Sequence, residues 1–141
     1  MIKNILENIH QIYRCKVFTP TATDNIQSLN TPTDYKQLLE FTDGFISNGV
    51  EFFGLQEHER PHKHYTLPSI ETATTRFSLN IFFKDKTIIG QMPETIIYYD
   101  TITQTYGLSD RTKFFPQIST PSLYKLLEFI FPAINPTSKQ D

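Results

Sequence analysis

The chain has 141 residues, the length of one domain, and at that size a core can form without disulfide or metal support. Thirteen Lys and Arg against fifteen Asp and Glu give a formal net charge of -2, which argues against a general binder of nucleic acid or of anionic membranes. A single cysteine, Cys15, excludes an internal disulfide framework and a Cys-based zinc site, and twelve Phe with seven Tyr are too many for a disordered chain.

The first stretch places Ile2, Ile5, Leu6, Ile9, Ile12 and Tyr13 at helical spacing, with Lys3, Asn4, Glu7, Asn8 and Gln11 on the other face. This predicts an amphipathic helix over 2–13. Glu7 interrupts the apolar run that a secretory signal needs, and apolar runs of about four residues fall far short of the ~18 that span a bilayer. The expectation is a cytoplasmic protein. Cys15, just past the helix, reads as a small semi-buried core residue rather than an activated thiolate.

Residues 19–33 are rich in Thr, Asn, Ser and Pro and predict a loop. Thr31 then caps a second helix, with Pro32 at its first position and Asp34 in its first turn. Tyr35, Leu38, Leu39 and either Phe41 or Thr42 supply its buried stripe, and Gly44 suits a left-handed residue at its end. Asn48-Gly49 between β-rich runs signals a hairpin, with a short strand before it and a longer one over 50–55. Residues 56–69 read as a polar loop. Ile70, Ala73, Thr74 and Phe77 then predict a Thr-rich helix over 69–80.

Strands follow at 87–91, 95–100 and 104–108, the last two joined by a turn over 101–103. A closing helix runs from about Thr120 or Pro121 to Phe131, stopped by Pro132, and residues 133–141 form a frayed polar tail. Short links between strands imply an antiparallel sheet. The fold class is therefore α+β: a single domain over 1–141, with about five or six strands and helices mainly on one face.

The five glycines form neither a Walker nor a dinucleotide-binding motif, and there is no HExxH or nucleophile elbow. No cofactor is expected. Histidines concentrate in the 57–64 segment, where His58, His62 and His64 offer a metal site if a carboxylate joins them. A solvated loop is the plainer reading. Asp85, Asp100 and Asp110 offer carboxylates for acid–base work. Each falls at a strand end or turn, where Asp more simply bonds backbone N–H groups.

Charge placement says more. Between Asp34 and Glu59, six acids (Asp34, Glu40, Asp43, Glu51, Glu57, Glu59) face one base, Lys36. This local charge of -5 leaves +3 for the rest of the chain. Acids sharing one surface would attract a basic partner and speed its association. The residues expected to contact a partner are Asp43, Glu51, Glu57, Glu59 and Asp100.

The run from Asp34 to Phe45 resembles the SUKH superfamily pattern, in which a Tyr-containing helix ends at a small polar residue and Gly. Asn48-Gly49-Val50-Glu51-Phe52-Phe53-Gly54-Leu55 resembles its YrhA-like branch. Ile88 to Gln91, Ile97 to Asp100 and Tyr106 to Arg111 are similar to that branch's three-strand meander, and Ser122 to Phe131 to its closing helix. The likeness covers most of residues 32–131, although this chain has no Trp, which the family often carries. It implies a non-catalytic bacterial immunity protein that binds and neutralises a cognate toxin, often a nuclease. The alternative it leaves is an intracellular interaction domain for another protein or a small ligand. A small metal enzyme built on His58, His62 and His64 is the third reading.

Overall fold

The computed structural model describes residues 2–20, 22–27, 31–60, 66–113 and 116–134. Ile2, Ile5, Leu6 and Ile9 are buried and form the inner face of α1 (Ile2–Tyr13). The chain turns through Arg14 into a two-residue strand, β1 (Lys16–Val17). Within the expected loop, Ile26 is fully buried and anchors a short helix, α2 (Thr23–Gln27). Helix α3 (Thr33–Phe41) has Pro32 at its cap position, and no side chain caps it. Thr31, the expected cap, has its hydroxyl buried without a partner among the described residues.

Gly44, at φ 82°, opens β2 (Gly44–Ser47). A Cβ there would lie 2.4 Å from the Phe52 carbonyl oxygen, so the strand pair closes only around glycine. Asn48 and Gly49, both at positive φ, make the expected two-residue turn into β3 (Val50–Phe53). The polar loop contains a small separate hairpin, β4 (His58–Glu59) with β5 (Thr66–Leu67). Ser69 caps α4 (Ile70–Phe77) by accepting from the Thr72 N–H.

A 3₁₀ turn, Ile81–Phe83, leads into the meander β6 (Lys86–Met92), β7 (Thr95–Asp100) and β8 (Thr105–Asp110), followed by β9 (Pro116–Thr120). Ser122, rather than Thr120, caps α5 (Leu123–Ile130), because Thr120 is still in β9. Ala133 and Ile134 belong to a second 3₁₀ turn and Ile134 is buried, so the expected tail starts later. Residues 135–141 lie outside the described residues.

The main sheet is antiparallel with seven strands, in the order β1-β2-β3-β6-β7-β8-β9. It exceeds the expected five or six by its two edges. β1 is two residues long, and β9 begins with Pro and is mostly exposed, so neither carries the alternation that marks a strand. Pairing places Phe45, Phe52, Gly90, Ile97 and Leu108 in one row across the sheet. α1, α3 and α5 cover this face: Phe131 beyond α5 packs on Tyr13 and Phe45, and Asp34 of α3 accepts from the Tyr106 hydroxyl. On the opposite face Tyr98 meets Phe82 and Phe83 edge-on. No helix among the described residues is long and apolar enough to cross a membrane.

β3 and β6 stay paired over only two positions, Glu51 with Gln91 and Phe52 with Gly90. Beyond them the strands part, and backbone groups in the gap need other partners. The Tyr35 hydroxyl, fully buried, donates to the Phe53 carbonyl at 2.6 Å and lies 3.2 Å from that of Ile89. Thr74 Oγ1 of α4 accepts from the Ile88 N–H at 2.9 Å, and the Gly54 carbonyl accepts from the Ile70 N–H. Two helices thus plug the split.

Tyr35→Phe removes the hydroxyl that reaches both carbonyls and is expected to cost about 1–3 kcal/mol in urea unfolding. A variant as stable as the parent would remove this role. Burial also pushes the hydroxyls of Tyr35 and Tyr106 well above the ordinary tyrosine value of 10.0, with the Asp43 charge adding at Tyr35 and the Asp34 hydrogen bond and charge at Tyr106. Above that value the unfolded chain loses these protons while the folded chain keeps them, so stability falls as pH rises. The expected slope is about 1.4 kcal/mol per pH unit for each group. Urea titrations from neutral to strongly alkaline pH should show a shallower fall in Tyr35→Phe than in the parent.

Candidate functional site

Glu51 and Gln91 stand opposite each other on β3 and β6, so their side chains leave the same face. Glu51 is half-buried and takes a two-pronged ion pair from Arg60, with Nη2 at 2.8 Å from Oε1 and Nε bonded to Oε2. Arg60 follows β4 and is tied across the small hairpin by its Nη1, which donates to the Thr66 carbonyl at 3.0 Å. Gln91 Nε2 donates to Glu51 Oε1 at 2.7 Å, while its Oε1 accepts from Arg111 Nη2 at 2.6 Å. The two charged neighbours set the orientation of the amide, since a flip would oppose oxygen to oxygen at Glu51 and hydrogen to hydrogen at Arg111.

Arg111 is placed by its backbone, whose N–H donates to the Glu94 carbonyl in the β6–β7 turn. The row Arg60, Glu51, Gln91, Arg111 therefore links the 58–67 hairpin, two central strands and the end of β8. It lines a solvent-open groove of about 300 Å³, rimmed by Gly49 and Pro93 from two turns. Among the described residues, two guanidiniums and one carboxylate line it, a formal charge of +1.

A second polar cluster sits below β2. Asp43 is 1% exposed, and its carboxylate accepts from the N–H groups of Leu55 at 2.7 Å and Gln56 at 3.1 Å. His58 Nε2 lies 2.8 Å from the same carboxylate, which makes it the donor, and the ring stacks on Phe18 with centroids 4.1 Å apart. The cluster fastens the chain between β3 and the small hairpin.

These positions break up the acidic surface that the sequence suggests. Asp43 is buried and fully engaged as a structural acid, and so does not face a partner. Glu51 is neutralised by Arg60. Asp34 accepts from the Tyr106 hydroxyl and the Leu123 N–H. Glu57 and Glu59 are exposed, and Glu57 accepts from the Thr72 hydroxyl. Asp100 lies at the other end of β6 from Glu51, paired with Lys86 at 3.6 Å and accepting from the N–H groups of Ile102 and Thr103 in the β7–β8 turn. The five residues therefore do not form one patch.

Asp110 accepts from the Thr112 hydroxyl and the Lys113 N–H at the opposite end of the β7–β8 hairpin from Asp100. The two carboxylates do not converge for acid–base work. His62 and His64 lie outside the described residues. Among the described residues no group of three His, Cys, Asp or Glu comes together to hold a metal. Cys15 is buried, and burial pushes its thiol up. No local pattern marks Arg60, Gln91 and Arg111 as a site, because their partners are 9, 40 and 20 residues away. The one signal that reached them was Gln91 and Arg111 falling inside the meander segments.

Compared with protein-family models and with curated proteins, the chain matches none.

Asp43→Ala leaves two backbone donors and the His58 ring without their acceptor. The expected loss is about 2–4 kcal/mol of unfolding free energy. Glu57→Gln with Glu59→Gln should stay within about 0.5 kcal/mol of the parent in the same measurement. Equal effects of the two changes would show Asp43 to be a surface acid after all.

Proposed function

We propose that the chain is a non-catalytic immunity protein that binds and occludes a cognate protein toxin, a nuclease being one candidate activity, in the cytoplasm of the cell that makes it. The observation that carries this reading is the groove. Charged side chains from three segments hold one another by hydrogen bonds around a solvent-open concavity. That is the preorganisation a recognition surface needs, because little side-chain freedom remains to be lost on binding. The resemblance of residues 32–131 to the SUKH superfamily supports the immunity role in particular. Charge steering toward a basic toxin falls to Glu57 and Glu59, the exposed acids that precede the groove-lining Arg60 in the chain.

Affinity capture with the whole chain as bait, from cells expressing the toxin, should return one stoichiometric protein. Expression of that protein alone should arrest growth, and co-expression of this chain should relieve the arrest. A captured partner that leaves growth unaffected would overturn the immunity reading. With the partner in hand, the Glu57→Gln, Glu59→Gln double variant should associate several-fold more slowly at low salt and show a flatter salt dependence. An unchanged association rate would remove the steering.

A further inference from the structure

Within the groove the two arginines are not equivalent. Arg60 spends its fork on Glu51 and its remaining nitrogen on the Thr66 carbonyl. Arg111 has no carboxylate partner among the described residues. Its Nη2 donates to the neutral Gln91 Oε1 and, at 3.5 Å, to the Met92 carbonyl oxygen, and these are its only side-chain hydrogen bonds among the described residues. Its Nε and Nη1 therefore keep their donors. The guanidinium is held by the Gln91 amide on β6, and the backbone of Arg111 is fixed by its own bond to Glu94. A guanidinium with unused donors beside an open concavity is suited to an anion; with Nη2 engaged, Nε–H and the Nη1 hydrogens do not run parallel, so each offers a single charge-assisted bond.

We propose that Arg111 and Gln91 form an anion subsite that receives the carboxylate of an Asp or Glu side chain presented by the protein partner. Two features favour a side-chain carboxylate over a phosphate or a nucleotide. Arg60 already neutralises Glu51, so among the described lining residues the one positive charge left is that of Arg111, which a monoanion balances and a dianion exceeds. Its volume of about 300 Å³ sits at the bottom of the range of about 300–1,000 Å³ for small-molecule pockets, room for one or two side chains. The assignment to a protein rests on the binding-module reading above; the carboxylate chemistry rests on the groove alone. A basic toxin is compatible with it, since steering reads net charge over a Debye length and the groove reads one side chain.

The test needs no partner. The full-length chain, labelled for side-chain resonances, is titrated with N-acetyl-glutamate methylamide, with its neutral glutamine counterpart and with inorganic phosphate at a pH where phosphate is dianionic. The glutamate probe should shift the Arg111 Nε–H and Gln91 amide resonances in a saturable way, and the glutamine probe should not. Arg111→Lys should weaken the response several-fold and Arg111→Gln should abolish it, with the backbone spectrum of each variant confirming the fold. If Arg111→Gln fails to fold, the comparison of the three probes on the parent chain decides. No shift up to the solubility limit, equal shifts from the neutral probe, or a stronger response to phosphate would each overturn the proposal. A failed toxin capture alongside a glutamate response would reject the immunity reading and leave the subsite standing.

Discussion

The structure turns on one hydroxyl. β3 and β6 are the central joint of the sheet, and they pair over two positions only. Where they part, the carbonyls of Phe53 and Ile89 face a buried gap, and the hydroxyl of Tyr35 supplies its single hydrogen between them. An unpartnered carbonyl there would carry its full desolvation penalty. The same residue joins helix to sheet, because its ring fills the core from α3 while its oxygen takes the place of a ladder hydrogen bond. The short β3–β6 pairing it closes off also sets Glu51 opposite Gln91. The geometry of the groove therefore follows from how the sheet is bolted.

The acids of the 34–59 segment show how misleading charge can be when it is counted without burial. Asp34 ties α3 to β8 and to the start of α5, Asp43 gathers the chain after β3, and Glu51 pairs with an arginine from a separate hairpin. Each lowers the cost of burying polar backbone or charge, and each loses its reach into solvent by doing so. Pairs of this kind contribute modest net stability, since desolvation offsets most of the attraction, but they set position well. In the groove the gain is positional: Glu51 fixes Arg60 and orients Gln91, and Gln91 in turn aims Arg111.

A binding module needs a rigid surface more than it needs a reactive group. The four side chains of the groove come from segments held by strand pairing, by a hairpin and by a turn bond, so their relative positions are set by backbone. This gives the binding reading its physical content and keeps Arg111 and Gln91 in place for the carboxylate proposed as their ligand.

Local pattern was enough for much of the fold. The apolar spacing of Ile2, Ile5, Leu6 and Ile9, the Asn48-Gly49 turn, the alternation in the meander and the stripe of α5 each act within a few residues, and each was readable before any contact was known. β1, β9 and the 58–67 hairpin were not readable. They are short or polar: β1 and β9 are strands because β2 and β8 offer a free edge, and β4 and β5 because they pair with each other. The same distinction divides the candidate site. Residue types and net charge are properties of the chain itself, and they pointed to binding and to an acidic segment. Burial and pairing are decided by partners 9 to 40 residues away. Only the tertiary structure could show that Asp43 and Glu51 are consumed internally and that Arg111 is left with donors to spare, because a charge becomes available to a partner only when the fold has not already neutralised it.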